Sequence, residues 1–87
     1  MSNRDHIRFQ HMLDAAQAAV GHLSNRKRED LDQDRLLLNG VIRELEILGE
    51  AASQISDETK EHHATLPWRE MIGMRNRLIH AYFPPVV

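Results

Sequence analysis

The amino-acid sequence predicts an all-α fold, with a single domain over residues 1–87 that forms an antiparallel bundle of about four helices. Apolar residues recur at steps of three and four, the spacing of one helix face, and no segment alternates apolar and polar residues as a strand does. The chain also has only three prolines and four glycines, so few positions interrupt a helix.

The first two predicted helices have clear amphipathic stripes. The first covers about residues 4–22, and its stripe consists of Phe9, Leu13, Ala16, Val20 and Leu23. The second covers about residues 32–54, after a polar stretch whose aspartates suit a helix start. Its stripe consists of Leu38, Val41, Leu45, Leu48, Ala52 and Ile55, widened by Leu37, Ile42 and Ile47. A stripe this wide indicates a helix that packs against more than one neighbour.

Two further helices are predicted from capping signals. Ser56 and Asp57 indicate a stop and a new start, followed by a short helix over about residues 58–63. Pro67 suits the first position of a last helix that runs to about residues 79–82. Pro84 and Pro85 are expected to end it.

Composition and length narrow the class of protein. The chain is 41% apolar and 28% charged, the balance of a globular protein, and no run approaches the roughly 18 apolar residues of a membrane span. Its charged start, MSNRDHIRFQ, is unlike a signal peptide, so we expect a cytoplasmic protein with no membrane attachment. The net charge of −2 argues against a broadly basic nucleic-acid binder but allows a local basic site. So short a chain buries only about 60–65% of its unfolded surface, which favours oligomerisation.

One arginine stands out in the last helix. Arg75 lies on the same line as Trp68, Ile72 and Ile79, where the pattern expects buried apolar residues. Arginine presents a planar, permanently charged fork that matches two phosphate oxygens. His80, five residues on, can transfer a proton near neutral pH. Together the two side chains are sufficient for RNA cleavage without a metal ion.

The spacing alone leaves other interpretations open. Arg75 can instead pair with a core glutamate, with Glu44, Glu46 and Glu50 as candidates. On an unbroken helix His80 lies about 140° from Arg75, so the helix must loosen or a second subunit must complete a shared site. The histidine pairs His6/His11 and His62/His63 lack convincing metal-ligand spacing, and no metal or cofactor is expected. The basic run Arg26-Lys27-Arg28 is expected to be solvated.

The run MRNRLIHAYF from Met74 to Phe83 has an R-x4-H-x-Y pattern with a polar residue after the arginine. It resembles the signature of HEPN-domain proteins of the HepT type, the toxin halves of HepT/MntA toxin–antitoxin pairs. Three upstream segments are also similar to family segments: RFQHMLDAA at residues 8–16, EILGEAA at 46–52 and PWREMIGM at 67–74. The resemblance therefore covers nearly the whole chain.

This resemblance implies a HEPN helical bundle that homodimerises and acts as a metal-independent endoribonuclease. Arg75 and His80 would be catalytic, Asn76 would support them, and Arg77 is a candidate contact to RNA phosphates. Tyr82 matches the tyrosine that the cognate minimal nucleotidyltransferase antitoxin, MntA-like, modifies with AMP. A bulky charged nucleotide beside the Arg/His cleft would block RNA and repel its phosphates.

The chain departs from the family pattern after its tyrosine. Family members usually continue through a loop into another amphipathic helix, whereas this sequence reads Phe83-Pro84-Pro85-Val86-Val87, which is short at the C-terminus. This departure favours an alternative: a non-catalytic helical dimer that binds a nucleotide or docks a nucleotidyltransferase.

Overall fold

A computed structural model describes residues 1–82, and these residues form five helices. The helices are α1 (Asn3–Leu23), α2 (Arg28–Gln33), α3 (Arg35–Ser53), α4 (Asp57–His62) and α5 (Trp68–Tyr82). None of the five combines the length and the apolar character that crossing a membrane requires. The predicted stop at Pro84 and Pro85 lies outside the described residues.

The all-α prediction is confirmed, and the second predicted helix, about residues 32–54, corresponds to α3, but the polar stretch before it forms an additional short helix, α2. The chain leaves helical geometry at Asp34, where φ is −113° and ψ is 96°. The Asp34 side chain accepts a hydrogen bond from the Leu37 backbone N–H at 3.1 Å and thereby caps α3. The Asp30 side chain accepts one from the Lys27 backbone N–H at 2.8 Å, at the start of α2. The aspartates expected to begin one helix therefore begin two, and the count of about four becomes five.

The long helix α3 lies at the centre, packed against α1 on one side and α5 on the other. Both pairs are antiparallel: Asp5 near the start of α1 contacts Ser56 just beyond α3, and Gly49 near the end of α3 contacts the first half of α5. The molecule is flat, with extents of 42 × 38 × 20 Å and a radius of gyration of 14.3 Å. A compact chain of this length has a radius near 12 Å. Helices α1 and α5 therefore each keep a large face uncovered in the single chain.

The apolar core is concentrated where the end of α3 meets α1 and the start of α5. Its buried members are Met12, Ala51, Ala52 and Ile55, with Phe9, Leu48, Trp68, Met71 and Ile72 packed around them. The Phe9 ring meets the Trp68 ring edge-on, with centroids 5.7 Å apart. The Trp68 indole N–H donates to the His63 carbonyl at 3.0 Å. This cluster anchors the start of α5.

The packed face of α1 differs from the predicted stripe. The residues that α1 buries are Met12, Ala15 and Ala19, together with Asp5, whereas Leu13 is 50% exposed and Val20 is 70% exposed. The prediction followed the regular three- and four-residue spacing, but the buried positions are offset from that line, and the two alanines among them allow α1 to approach α3 closely. Leu13 and Val20 lie on surface that is uncovered in the single chain, whereas Phe9 of the same predicted stripe packs against the core.

A buried carboxylate ties the start of α1 to the start of α4. Asp5 accepts hydrogen bonds from the Ser56 backbone N–H at 3.0 Å, the Ser56 hydroxyl at 2.6 Å and the Thr59 hydroxyl at 2.6 Å. These hydrogen bonds, that of the Ser56 side chain foremost, lower the pKa of Asp5 below its ordinary value. Because both oxygens accept hydrogen bonds, the carboxylate stays charged at this buried position and fixes the connection between α3 and α4.

Candidate functional site

Helix α5 presents Arg75 on the face that packs against α3. Trp68, Ile72 and Ile79 share this face and are half-buried, and the Arg75 side chain is 23% exposed. The helix buries no residue completely. Arg75 is therefore held by packing along its aliphatic stem while part of its side chain still reaches solvent.

The close contact between α3 and α5 at Arg75 depends on Gly49. A Cβ atom on residue 49 would clash with Cβ of Arg75 and would lie 2.9 Å from the Met71 carbonyl oxygen. Only a glycine allows the two helices to approach this closely. We did not single out this residue from the sequence, although a glycine inside a long helical pattern is a recognised sign of close packing.

Arg75 forms an ion pair with Glu50 of α3. Its Nη1 lies 3.4 Å from Oε2 of Glu50, whose side chain is 53% exposed. Glu50 is one of the three glutamates that the sequence left as possible partners. The ion pair therefore supports the interpretation in which Arg75 has a structural role. The Nε atom of Arg75 is buried and has no hydrogen-bond partner among the described residues, so its hydrogen-bonding capacity is only partly used.

Next to this ion pair lies an open pocket of about 320 Å³ between α1, α3 and α5. Its polar lining consists of Arg8, His11, Arg43, Glu46, Glu50 and Arg75. The sequence singled out Glu46, Glu50 and Arg75 as possible ion-pair partners and His11 only as a weak metal-ligand candidate, and it did not single out Arg8 or Arg43. Helical spacing could have identified the others. Arg8 and His11 are three residues apart on α1, and Arg43 precedes Glu46 by three and Glu50 by seven on α3.

His80 does not share this pocket with Arg75. Helix α5 is continuous through Tyr82, so His80 lies about 140° around the helix and about 7.5 Å along its axis from Arg75. His80 is exposed, as are Asn76 and Arg77, and Tyr82 is 50% exposed. Within one copy of the chain, the two candidate catalytic side chains therefore lie on different sides of α5. Of the two explanations that the sequence left open, loosening of the helix is not seen in the described residues.

The remaining candidate groups lie on the surface. His6, His11, His62 and His63 are exposed, and within residues 1–82 no three histidine or acidic side chains are placed to hold a metal ion. Arg26, Lys27 and Arg28 are exposed around the start of α2.

Comparison with known proteins identifies the family. A family profile described as "Ribonuclease HepT-like" matches residues 12–84, a range that contains Arg75, His80 and Tyr82. A protein of Caldanaerobacter subterraneus named "Putative RNase" is 36% identical over 75 residues, which are 86% of this chain and 67% of that protein. A protein of Methanocaldococcus jannaschii with the same type of name is 36% identical over 84 residues, 95% of this chain and 77% of that protein.

A third relative carries the family name itself. The "Probable ribonuclease HepT" of Thermococcus cleftensis is 51% identical over 55 residues, which are 63% of this chain and half of that protein. No solved structure matches the chain significantly. The profile covers most of the chain, and two of these relatives match 86% and 95% of it. The chain belongs to the HepT-like ribonuclease family.

Proposed function

We propose that this protein is the endoribonuclease toxin of a toxin–antitoxin pair and cleaves RNA without a metal ion. The observation that carries the proposal is the R-x4-H-x-Y run on α5, within a chain that belongs to a family of ribonucleases. Two features of the structure support it. Arg75 is partly exposed beside an open pocket, and His80 is exposed near the end of the same helix.

The chemistry assigned to these side chains is an intramolecular transesterification. His80 accepts the proton of a ribose 2′-hydroxyl, the 2′-oxygen attacks the adjacent phosphorus, and the bond from phosphorus to the 5′-oxygen breaks. A proton is then delivered to the 5′-oxygen, leaving a 2′,3′-cyclic phosphate and a 5′-hydroxyl. Arg75 stabilises the charge that builds up on the phosphorane-like transition state. Asn76 supports this pair, and Arg77 contacts a neighbouring phosphate.

The proposal requires two copies of the chain. Because α5 separates Arg75 from His80 by about 140°, a homodimer is the simplest way to bring both side chains to one RNA phosphate. The flat shape of the single chain and the uncovered apolar side chains of α1 are consistent with a second copy. Each cleft would then receive groups from both subunits.

Tyr82 is the proposed site at which the antitoxin controls the ribonuclease activity. Its side chain is half exposed, so a nucleotidyltransferase antitoxin of the MntA type can reach the hydroxyl. Transfer of AMP would add a negatively charged phosphodiester on the same side of α5 as Arg75, because seven residues bring Tyr82 to within about 20° of it. That charge repels RNA phosphates and the nucleotide occupies the cleft.

The alternative is a helical dimer that binds a nucleotide or docks a nucleotidyltransferase without cutting RNA. The specific observation in its favour is the ion pair of Arg75 with Glu50, which gives the guanidinium a structural partner.

Cleavage of a labelled structured RNA in EDTA distinguishes the two. We expect cutting by the parent protein, products with 2′,3′-cyclic phosphate ends, and at least a hundredfold loss in His80→Ala. The matched control is His6→Ala, an exposed histidine on α1, which should cut as the parent does. Equal cutting by His80→Ala and the parent would contradict the proposed mechanism. A folded, unmodified dimer that cuts nothing would favour the alternative.

A further inference from the structure

The pocket between α1, α3 and α5 has polar groups that the proposed cleavage does not use. Arg8 lines it from α1, and Arg43 and Glu46 line it from α3. Only Arg75 belongs both to this pocket and to the proposed catalytic pair. Any ligand held in the pocket is therefore adjacent to the phosphate that Arg75 would bind.

The charges of the pocket favour a phosphate-bearing ligand. Three arginines line it against two glutamates, and one of these glutamates, Glu50, is already paired with Arg75. Within residues 1–82 neither Arg8 nor Arg43 has an ion-pair partner. Guanidinium groups that converge from separate helices are the usual means of holding phosphate oxygens.

The hydrogen-bonding groups of the pocket are incompletely satisfied. Nε of Arg8, Nε of Arg75 and Oε1 of Glu46 are buried and have no hydrogen-bond partner among the described residues. Leaving such an atom without a partner costs about 1–3 kcal/mol. All three atoms belong to side chains that line the pocket. A ligand with both acceptors and donors can therefore form hydrogen bonds with them and remove this cost.

Glu46 distinguishes a nucleotide from a simple anion. A carboxylate accepts hydrogen bonds and repels a phosphate, so it has no place in a site made for inorganic phosphate alone. It does suit a ligand that also carries N–H or O–H donors, such as a ribose hydroxyl or the edge of a base. The pocket volume of about 320 Å³ is at the lower end of the range of ligand sites, which suits one nucleotide unit.

We propose that this pocket is a nucleotide subsite, in which Arg8 and Arg43 bind a backbone phosphate of the RNA and Glu46 accepts a hydrogen bond from the ribose or base of the adjoining nucleotide. The inference rests on the proposed ribonuclease function, because it makes the occupant part of the RNA substrate. Glu46 is then a specificity-determining residue for the nucleotide next to the cleaved bond.

Titrations with mononucleotides test the subsite independently of cleavage. The ligands are the four ribonucleoside 5′-monophosphates, their deoxy counterparts and inorganic phosphate, added to the full chain and followed by NMR. We expect Glu46→Ala to weaken binding of the preferred nucleotide about tenfold, the effect of one lost hydrogen bond to a charged group. The same variant should bind inorganic phosphate more tightly, since it removes a negative charge. Loss of preference between ribose and deoxyribose in this variant would assign the hydrogen bond to the ribose, and loss of base preference would assign it to the base.

Matched variants control for charge and folding. Glu44→Ala is the control for Glu46→Ala, because it removes a carboxylate of α3 that does not line this pocket. Arg35→Ala is the control for Arg43→Ala, because it removes an arginine of α3 that does not line the pocket. We expect both controls to bind as the parent does, while Arg43→Ala weakens the binding of every nucleotide. Circular dichroism and the Tm of each variant establish that it is folded.

The outcomes separate the subsite from the proposed function. If the parent cuts RNA and both Glu46→Ala and Arg43→Ala cut and bind nucleotides unchanged, the subsite is overturned and the ribonuclease stands. If nothing cuts RNA but nucleotides bind and these variants weaken them, the nucleotide site stands and the ribonuclease fails. If inorganic phosphate binds the parent as tightly as any nucleotide, the assignment to a nucleotide is overturned.

Discussion

The two ends of the contact between α3 and its neighbours are built differently. At one end, which we call the closed end, Phe9, Met12, Ile55 and Trp68 pack together and Asp5 has hydrogen bonds to both its oxygens. At the other end, around Arg75, the lining is charged and open, and three buried polar atoms have no partner in the described chain. Both ends share the same central helix.

The difference shows that one end is built for stability, and it supports the proposal that the other end binds a ligand. Buried polar groups in folded proteins are nearly always hydrogen-bonded, so each unsatisfied one needs an explanation, and a bound ligand is the explanation we propose. The closed end follows the rule, with a carboxylate that is fully paired. The pocket departs from it at Arg8, Glu46 and Arg75. Substitutions at the closed end should therefore change stability first, and substitutions at the pocket should change binding first.

The largest effect on stability is expected at the closed end, from the substitution Met12→Ala. Met12 is buried among Ala51, Ala52 and Ile55, so truncation leaves a cavity and lowers the free energy of unfolding by about 2–5 kcal/mol. Leu13→Ala is the matched control, because Leu13 is half exposed and should change stability by less than about 1 kcal/mol. Denaturant unfolding of both variants measures the difference. Equal losses would mean that α1 packs through the stripe predicted from the sequence.

The next largest effect on stability is expected from Gly49→Ala, at the position where the pocket meets the apolar core. The added methyl group meets the Met71 carbonyl and the stem of Arg75, neither of which can move without shifting α5. We expect a loss of about 1–3 kcal/mol in stability and weaker RNA cleavage, because Arg75 moves with its helix. Gly21→Ala is the control: nothing lies within 4 Å of a Cβ there. A gain in stability in Gly49→Ala would contradict the close approach of the two helices.

The smallest effect on stability is expected from Asp5→Asn, which changes the carboxylate that links α1 to α4 at the closed end. Asparagine keeps the shape and one acceptor, so the variant should fold with a modestly lower Tm at pH 7. Because folding lowers the pKa of Asp5 below 3.8, the carboxylate stabilises the protein above that pH. This stabilisation is lost as the pH falls through the lower folded value. The difference in Tm between parent and variant should therefore narrow below about pH 4, and a constant difference down to pH 2 would contradict the role of the charge.

The sequence was informative where local patterns decide the structure. The cap before α4, which the structure assigns to Ser56, and the face of α5 that carries Arg75 follow from signals within a few residues. The predicted start of the last helix at Pro67 is one residue from the observed start at Trp68. Family membership also followed from local motifs, and the comparisons confirm it. The roles of Arg75, His80, Asn76, Arg77 and Tyr82 remain predictions.

Other features depend on which helices meet, and local patterns do not contain that information. The apolar stripe of α1 was assigned from regular spacing, yet the buried residues Met12, Ala15 and Ala19 lie beside that stripe, because the face that is covered depends on how α3 approaches. The break at Asp34 depends on whether one side chain caps α3, which periodicity alone does not reveal.

By itself, the sequence determined the fold class, the family and the run of residues on α5 that the proposed chemistry uses, because each of these follows from residue types at short spacing. Only the tertiary structure decided that Arg75 pairs with Glu50, that Gly49 admits α5 against α3, and that Arg8, Arg43 and Glu46 face one pocket. These residues come from three helices that lie far apart in the chain. Their meeting depends on how α1, α3 and α5 pack, which is a property of the whole fold.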